Sequence, residues 1–302
     1  MQRAIAVCFS LIFLCSCATQ NSVRINLPAD ASMNTLAGRG DDLFVKLHLE
    51  DGRDLIFAVD NGFPCTVLDK SLEPELGKPS GTQKVSYAWY ANKTITVHKY
   101  KSPKLYLGNT PLMLDASVIT DDLKQRFQGR PVVGILGMDC LKHYCIQLDF
   151  ASKKIHFLDP DHLQSENLGK PFPLAFSFIW SEPSTRMDFC GKDVWFGLDT
   201  GDYTDGTLKS ALLDRTMKTH SPDKVLQTKP ETGGTRSKIY FSELEFGGET
   251  YTNLLIHKSS DGPDNNALGL QFLARNLVTF NFPKRTMYLK QISVGPLKDK
   301  NN

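Results

Sequence analysis

The sequence predicts an all-β protein with two similar lobes and few short helices. Short apolar segments, several of them alternating with polar residues, are separated by turn residues such as Asp51-Gly52, a pattern typical of barrels and sandwiches. Short helices are predicted only near residues 138–144, 209–218 and 270–276. The chain has 302 residues, enough for two lobes of about 100–150 residues each.

The two lobes are inferred from an internal repeat. Asp60 and Asp199 end apolar segments 139 positions apart, and a Leu-x-hydrophobic-Gly segment recurs at the same offset. Hydrophobic-hydrophobic-glycine triplets at 135–137 and 267–269 are 132 positions apart, as are the strand-like segments that follow them. A loop near residues 121–131 accounts for the difference of seven residues. Matches in one order along the chain indicate a duplication.

Composition excludes several classes of function. The chain is 41% hydrophobic and 23% charged, with a formal net charge of +2, so it has no basic field suited to nucleic acid. The seven histidines are scattered, without the spacing of a zinc site, and we predict neither a metal nor another cofactor.

The N-terminus resembles the signal of a bacterial lipoprotein. An apolar stretch at 4–14, too short to span a bilayer, precedes Ser16-Cys17. We expect a signal peptide at 1–16, lipidation of Cys17 and a tether at 17–40; a plain secretory signal is the alternative. The chain would lie in the cell envelope, on the periplasmic or outer-membrane side and touching the membrane only through its lipid, or be secreted.

The rest of the chain divides at a polar, proline-containing segment, 159–173, which is the candidate linker. The predicted boundaries are an N-terminal lobe at 41–160, a C-terminal lobe at 161–295 and a tail at 296–302. Four cysteines remain in the mature chain and permit two disulfides in any of three pairings, which the sequence leaves open. Cys65 is expected to be in a disulfide or a buried thiol.

The repeated aspartates carry the functional prediction. Each follows a segment that is apolar on both faces, so each is predicted to end a strand buried on both sides. An ionised carboxylate is unfavourable there unless it is paired or hydrogen-bonded. Two carboxyl groups that meet at a pseudo-twofold axis would share one proton and hold a water molecule. One carboxylate would then take a proton from the water while the other protonates the carbonyl under attack. Ordinary Asp-x-Gly turns are the alternative.

These residues resemble the aspartic peptidases of the pepsin and retropepsin type. The resemblance rests on Phe-Ala-Val-Asp-Asn-Gly at 57–62, Phe-Gly-Leu-Asp-Thr-Gly at 196–201 and the two glycine triplets, and it covers about residues 41–290. It implies an aspartic-protease-like double barrel in which Asp60 and Asp199 are catalytic in the cleft between the lobes. Since one chain carries both halves, a monomer would suffice, with a peptide or protein as substrate.

The resemblance also implies supporting residues. Asn61, Gly62, Thr200 and Gly201 would support the dyad, and each glycine would suit a tight turn if its φ is positive. Trp89 and Tyr90 stand at the tip of a predicted hairpin, where relatives carry a flap over the substrate; packing on the neighbouring strand is the alternative reading.

Three positions depart from the family pattern. Asn61 stands where relatives usually have threonine or serine, so the hydrogen bonding between the lobes should be asymmetric. Phe63 and Asp202 stand where relatives generally have a small residue; Phe63 is expected to pack into the lobe, and Asp202 to disfavour ionisation of Asp199. These departures support an alternative function, a catalytically weak or inactive lipoprotein of this fold that binds peptide or an envelope protein.

Overall fold

The structure is a computed structural model that describes residues 26–86, 94–176, 182–228, 236–258 and 266–298. The first half of the chain forms strands β1 (Ala31–Ser32), β2 (Phe44–His48), β3 (Asp54–Val59), β4 (Val67–Asp69), β5 (Gly81–Ser86), β6 (Thr94–Lys101), β7 (Tyr106–Leu107), β8 (Thr110–Pro111), β9 (Ser117–Asp121), β10 (Val132–Leu136), β11 (Cys145–Asp149) and β12 (Lys154–Leu158). The second half forms β13 (Lys170–Phe176), β14 (Pro183–Phe189), β15 (Lys192–Asp199), β16 (Gly206–Leu208), β17 (Lys224–Thr228), β18 (Arg236–Phe246), β19 (Glu249–Lys258), β20 (Ala267–Gly269), β21 (Asn276–Asn281) and β22 (Thr286–Gln291). The all-β prediction is confirmed.

The helices are short. They are α1 (Glu73–Leu76), α2 (Lys124–Phe127), α3 (Met138–Leu141), α4 (Ser210–Thr219) and α5 (Leu270–Ala274), with 3-10 turns at Lys70–Leu72 and Ser165–Asn167. The sequence predicted α3, α4 and α5 but neither α1 nor α2, each of which is a single turn. No helix among the described residues has the length and apolar character needed to cross a membrane.

Both lobes contain the same arrangement of strands around the repeated aspartate. In the first lobe β3 pairs in parallel with β10, through Val59 and Leu136, and β10 pairs antiparallel with β4. In the second lobe β15 pairs in parallel with β20, through Leu198 and Leu268, and β20 pairs antiparallel with β16. The duplication inferred from sequence offsets is therefore present as repeated topology.

A sheet of antiparallel strands joins the two lobes, in the order β1-β12-β11-β21-β22-β13. At its centre Ile146 pairs with Phe280 and Leu148 with Val278. Under the repeat, each residue of one pair corresponds to a residue of the other pair. This relation is expected when two similar halves meet at a twofold axis. The axis passes between Gln147 and Thr279, whose side chains are hydrogen-bonded at 2.9 Å. The same axis is expected to relate the two aspartate loops.

The aspartate strands differ in burial. On β3, Phe57 and Val59 pack into the main core while Ala58 on the other face packs into a second cluster, so this strand is buried on both sides as predicted. On β15, Phe196 and Leu198 are in the core, but Trp195 on the opposite face is 53% exposed. The prediction of a strand buried on both sides is therefore wrong for the N-terminal part of β15, because no second cluster of described residues covers that face.

The folded body begins before residue 41, the predicted start of the N-terminal lobe. Ala31 in β1 pairs with Ile155 in β12, and Ala31, Met33 and Ala37 are buried. Asn34 accepts a hydrogen bond from the Phe44 N–H at 2.8 Å, which fixes the entry into β2. The pairing of β1 thus extends the central sheet, and the apolar side chains that follow it are part of the core. The predicted linker at 159–173 is likewise partly structured, since β13 begins at Lys170 and pairs with β22.

Candidate active site

Asp60 and Asp199 come together between the lobes, each delivered by the end of its strand. The Asp60 N–H donates to the Leu136 carbonyl at 3.1 Å, which continues the parallel β3–β10 pairing up to the aspartate. Asp60 is 5% exposed and Asp199 is partly exposed. The two carboxyl groups lie side by side, since a Cβ on Gly62 would lie 2.7 Å from Asp199 Oδ1 and 3.1 Å from Asp60 Oδ1. Residues 139 positions apart in the sequence therefore form one pair.

Each aspartate is held in the same way by its own loop. The Gly62 N–H donates to Asp60 Oδ1 at 2.9 Å, and the Gly201 N–H donates to Asp199 Oδ1 at 2.8 Å. Backbone donors of this kind fix the orientation of a carboxylate without adding a charge. The two loops are thus equivalent in geometry as well as in sequence.

Asn61 and Thr200 join the loops across the axis. The Asn61 N–H donates to Thr200 Oγ1 at 3.0 Å, and the Thr200 N–H donates to Asn61 Oδ1 at 2.8 Å. Asn61 thereby accepts the bond that a hydroxyl at this position would accept. Both residues are buried, so these bonds are shielded from competing water.

The expected asymmetry lies in the donors of these two side chains. The Thr200 hydroxyl donates to the Val59 carbonyl at 2.9 Å, whereas the buried Nδ2 of Asn61 has no hydrogen-bond partner among the described residues. The amide cannot rotate to relieve this, because its oxygen must face the Thr200 N–H. Leaving a buried donor unpaired costs about 1–3 kcal/mol. Asn61 therefore preserves the link between the lobes at a cost in stability.

Gly62 and Gly201 are required by close approach rather than by backbone conformation. Both lie in turns as predicted, but neither has a positive φ, so the explanation by backbone conformation is wrong. A Cβ on Gly201 would lie 2.1 Å from Asp60 Oδ2, and one on Gly62 would lie 2.7 Å from Asp199 Oδ1. Each glycine leaves room for the carboxyl group of the other lobe. The glycines are therefore part of what allows the two aspartates to meet.

Burial and mutual repulsion make the pair a proton-sharing one. Burial is the largest cause that raises the pKa of Asp199 well above its usual value, and the charges of Asp60, Glu182 and Asp202 add to it. Burial also raises the pKa of Asp60, but the positive charge of Arg126 opposes this. A proton shared by the pair is therefore held more strongly at Asp199, and the pair can carry one proton where isolated carboxyl groups would carry none.

Arg126 is a residue of the site that the sequence reasoning missed. It lies on α2, within the extra loop of the first lobe, and its Nη2 donates to Asp42 Oδ1 at 2.9 Å and to the Gly201 carbonyl at 2.9 Å. Arg126 thus connects the first lobe to the aspartate loop of the second. The signal in the sequence was the loop near 121–131 that breaks the repeat, since an insertion in one copy can carry a group that the other copy lacks.

Glu182 is a second missed residue. It precedes β14 and is partly exposed, and burial, with the charges of Asp60 and Asp202, raises its pKa to about 7. Its Oε1 is buried and has no hydrogen-bond partner among the described residues. No motif in the sequence marks this residue, because its position beside the dyad depends on how the strands of the second lobe are paired.

The two unusual residues after the glycines occupy different surroundings. Phe63 packs against the smaller core cluster of the first lobe, as expected. Asp202 uses Oδ1 to accept hydrogen bonds from the Thr204 N–H at 2.9 Å and the Thr204 hydroxyl at 2.8 Å. Its carboxyl group therefore caps its own turn, and its charge disfavours ionisation of Asp199 as predicted.

The cysteines do not provide a nucleophile. Cys65, Cys140, Cys145 and Cys190 are free thiols. Burial is the main cause that raises the pKa of Cys65 to about 12, so its thiol is protonated at neutral pH. Among the residues that the structure describes, no three His, Cys, Asp or Glu side chains are placed to bind a metal ion.

Three predicted site residues lie outside the described residues: Trp89, Tyr90 and Cys17. The hairpin on which the two aromatic residues were placed is present, since β5 and β6 pair antiparallel from Gly81 with Lys99 to Ser86 with Thr94. The role of these residues as a flap stays a prediction.

Comparison with known proteins identifies the fold. The crystal structure of Basic 7S globulin from soybean is similar, with a TM-score of 0.55 and 10% sequence identity over 89% of this chain and 96% of that chain. The chain has a bilobal, aspartic-protease-like fold. No protein-family model and no curated protein matches the sequence. At this level of identity the likeness concerns the fold alone, and function must be argued from the site.

Proposed function

We propose that the protein is an aspartic peptidase that hydrolyses peptide bonds with a water molecule held between Asp60 and Asp199. The observation that supports this most directly is the placement of two carboxyl groups side by side, one from each lobe and each held by a glycine N–H. In the proposed mechanism the ionised carboxylate removes a proton from the water. The water oxygen attacks the scissile carbonyl carbon while the protonated carboxyl donates its proton to the carbonyl oxygen, which gives a tetrahedral gem-diol. The carboxyl that took the proton of the water then donates it to the amide nitrogen as the C–N bond breaks, and the other carboxylate takes back one hydroxyl proton as the new carboxylic acid forms.

The neighbouring residues have roles that follow from their contacts. Gly62 and Gly201 orient the carboxyl groups through their N–H groups, and Asn61 and Thr200 hold the two loops together. Arg126 stabilises the ionised form of Asp60, while Asp202 and Glu182 favour the protonated form of Asp199. This division favours Asp60 as the base and Asp199 as the acid at the start of the reaction. The substrate class is a peptide or protein, and the mechanism uses no cofactor.

A catalytically weak or inactive binding protein on the same fold is the second candidate. The unpaired Nδ2 of Asn61 favours it, because strain in the link between the loops would misplace the carboxyl groups relative to the water. A displacement of about 1 Å at reacting groups can lower a rate 100-fold. Such a protein would retain a groove for peptide or an envelope protein without efficient hydrolysis.

The cellular setting belongs to the proposal as well. We propose that the chain is a monomer tethered in the cell envelope through lipid on Cys17, or otherwise secreted. The lipoprotein-like sequence before Cys17 supports this placement. Metabolic labelling with a fatty acid analogue, compared between the native chain and Cys17→Ser, would test it, since labelling that survives the substitution contradicts lipidation at this residue.

Hydrolysis of a diverse peptide mixture over a range of pH tests the proposed activity. We expect cleavage with an acidic optimum, because one carboxyl of the pair must be protonated. Asp199→Asn should abolish it. Asp193→Asn is the matched control, since Asp193 lies on the same strand with its side chain 59% exposed. Cleavage that persists in Asp199→Asn, or a rate that rises steadily into alkaline pH, would exclude this mechanism. Peptide binding without cleavage would favour the second candidate.

A further inference from the structure

Two acidic residues flank the dyad at equivalent positions of the two lobes. Phe44 pairs with Ala58 in the first lobe, and Ser184 pairs with Gly197, the equivalent of Ala58, in the second. Asp42 stands two residues before Phe44, and Glu182 two residues before Ser184. Both act on the catalytic pair, because the charge of Asp42 raises the pKa of Asp60 and that of Glu182 raises the pKa of Asp199.

The two acids differ in what neutralises them. Asp42 is paired with Arg126 at 2.9 Å and with Arg130 at 2.6 Å, both carried by the extra loop of the first lobe. Glu182 forms no ion pair with any described residue, and its Oε1 is buried without a donor. A buried carboxylate is stable only when it is paired or hydrogen-bonded, and among the described residues Glu182 has no equivalent of the two arginines that pair with Asp42.

Gly197 provides the space in which the Glu182 carboxyl group lies. A Cβ on Gly197 would be 2.0 Å from Glu182 Oε1 and 2.6 Å from its Cδ. The first lobe has an alanine at the equivalent position, where no such carboxyl group intrudes. The carboxyl group is thus held against β15, two residues before Asp199, with Oε1 buried and the residue as a whole partly exposed.

We propose that Glu182 binds a basic side chain of the peptide substrate beside the scissile bond, an inference that rests on the proposed peptidase function. A lysine or arginine of the substrate would provide the positive charge and N–H donors that Arg126 and Arg130 provide to Asp42. Asp42 is neutralised by two arginines of the chain, whereas Glu182 has no such partner among the described residues. Selection for a basic substrate residue is therefore expected on only one side of the scissile bond. It applies to the side of the scissile bond that lies against β14 and β15.

Paired peptides test this specificity. In each pair one position near the cleaved bond holds either lysine or norleucine, which has a similar length without the charge. We expect kcat/KM to favour lysine at one position by roughly 10- to 100-fold, the range of a hydrogen bond to a charged group. Glu182→Gln should bring this ratio close to one. Asp202→Asn should retain the preference for lysine. This substitution removes a nearby negative charge, but the Asp202 carboxyl group already accepts hydrogen bonds from Thr204. Equal loss of the preference in both variants would overturn the proposal in favour of a diffuse negative potential.

Binding separates this inference from the proposed catalysis. Fluorescent versions of the same peptides are titrated into the full chain carrying Asp199→Asn, with and without Glu182→Gln. A preference for lysine that depends on Glu182 supports the inference even when the native chain cleaves no peptide, in which case only the proposed catalysis has failed. Cleavage without any dependence of the lysine preference on Glu182 overturns the inference and leaves the peptidase proposal intact. No preference in either measurement also overturns it.

Discussion

Replacing Asn61 with threonine would test whether the unpaired amide weakens the link between the lobes. In the structure Asn61 Oδ1 accepts the Thr200 N–H at 2.8 Å, while its buried Nδ2 has no partner. A threonine hydroxyl at this position can accept the same N–H. It can also donate to the carbonyl of Leu198, as the Thr200 hydroxyl does to the equivalent Val59 carbonyl at 2.9 Å. The substitution therefore keeps the acceptor and removes the unpaired donor.

The expected gain follows from the energy of an unpaired buried donor, about 1–3 kcal/mol, less the strain of fitting a β-branched side chain. We expect Asn61→Thr to raise the free energy of unfolding by about 1 kcal/mol, which corresponds to a rise in melting temperature of about 2–4 °C for a domain larger than 150 residues. Urea unfolding followed by circular dichroism should show a higher midpoint with an unchanged m value.

The reciprocal substitution is the control. Thr200→Asn places a second amide at the axis and removes the hydroxyl that donates to Val59, so it should lower the free energy of unfolding by about 1–3 kcal/mol. The reasoning would be refuted if Asn61→Thr were less stable than the native chain, or if Thr200→Asn were as stable. Either result would mean that the Asn61 amide is satisfied in solution.

Two further perturbations test the packing and the charge at the dyad. Gly201→Ala puts a methyl group 2.1 Å from Asp60 Oδ2, so we expect a loss of about 1–3 kcal/mol and no hydrolysis, whereas Gly81→Ala, with open space around it, should be neutral in thermal unfolding. Equal melting temperatures for the two variants would contradict the close approach. Burial, with the charges of Asp60 and Asp202, raises the pKa of Glu182 from 4.5 to about 7. The folded state therefore favours the protonated form of Glu182. Its contribution to the free energy of unfolding is complete below pH 4.5 and is lost as the pH rises to 7. Glu182→Gln should therefore be more stable than the native chain at pH 8 but not at pH 4 in urea unfolding, and the same difference at both pH values would count against this pKa.

Much of the fold could be predicted from local patterns. Strand alternation, turn residues and the short helices α3, α4 and α5 depend on neighbours in the sequence, and the duplication presented the main signals twice. The prediction failed where burial depends on distant elements. Trp195 is apolar but exposed, because none of the described residues packs on its face of β15, and residues 31–32, which the sequence placed in a tether, form β1 and extend the central sheet.

By itself, the sequence determined that two equivalent strands end in Asp60 and Asp199 and that each is followed by a glycine. Only the tertiary structure decided why those glycines are needed, which neighbours carry charge, and which amide is left unpaired. The physical reason is that close approach across a twofold axis, pairing of buried charges and satisfaction of hydrogen bonds are properties of groups far apart in the chain. Asn61 and Thr200 are 139 positions apart, and Arg126 reaches Gly201 across 75. The loop near 121–131, which breaks the repeat, indicated in the sequence where a residue without a counterpart, such as Arg126, could lie. Its partners, Asp42 and Gly201, could be identified only from the tertiary structure.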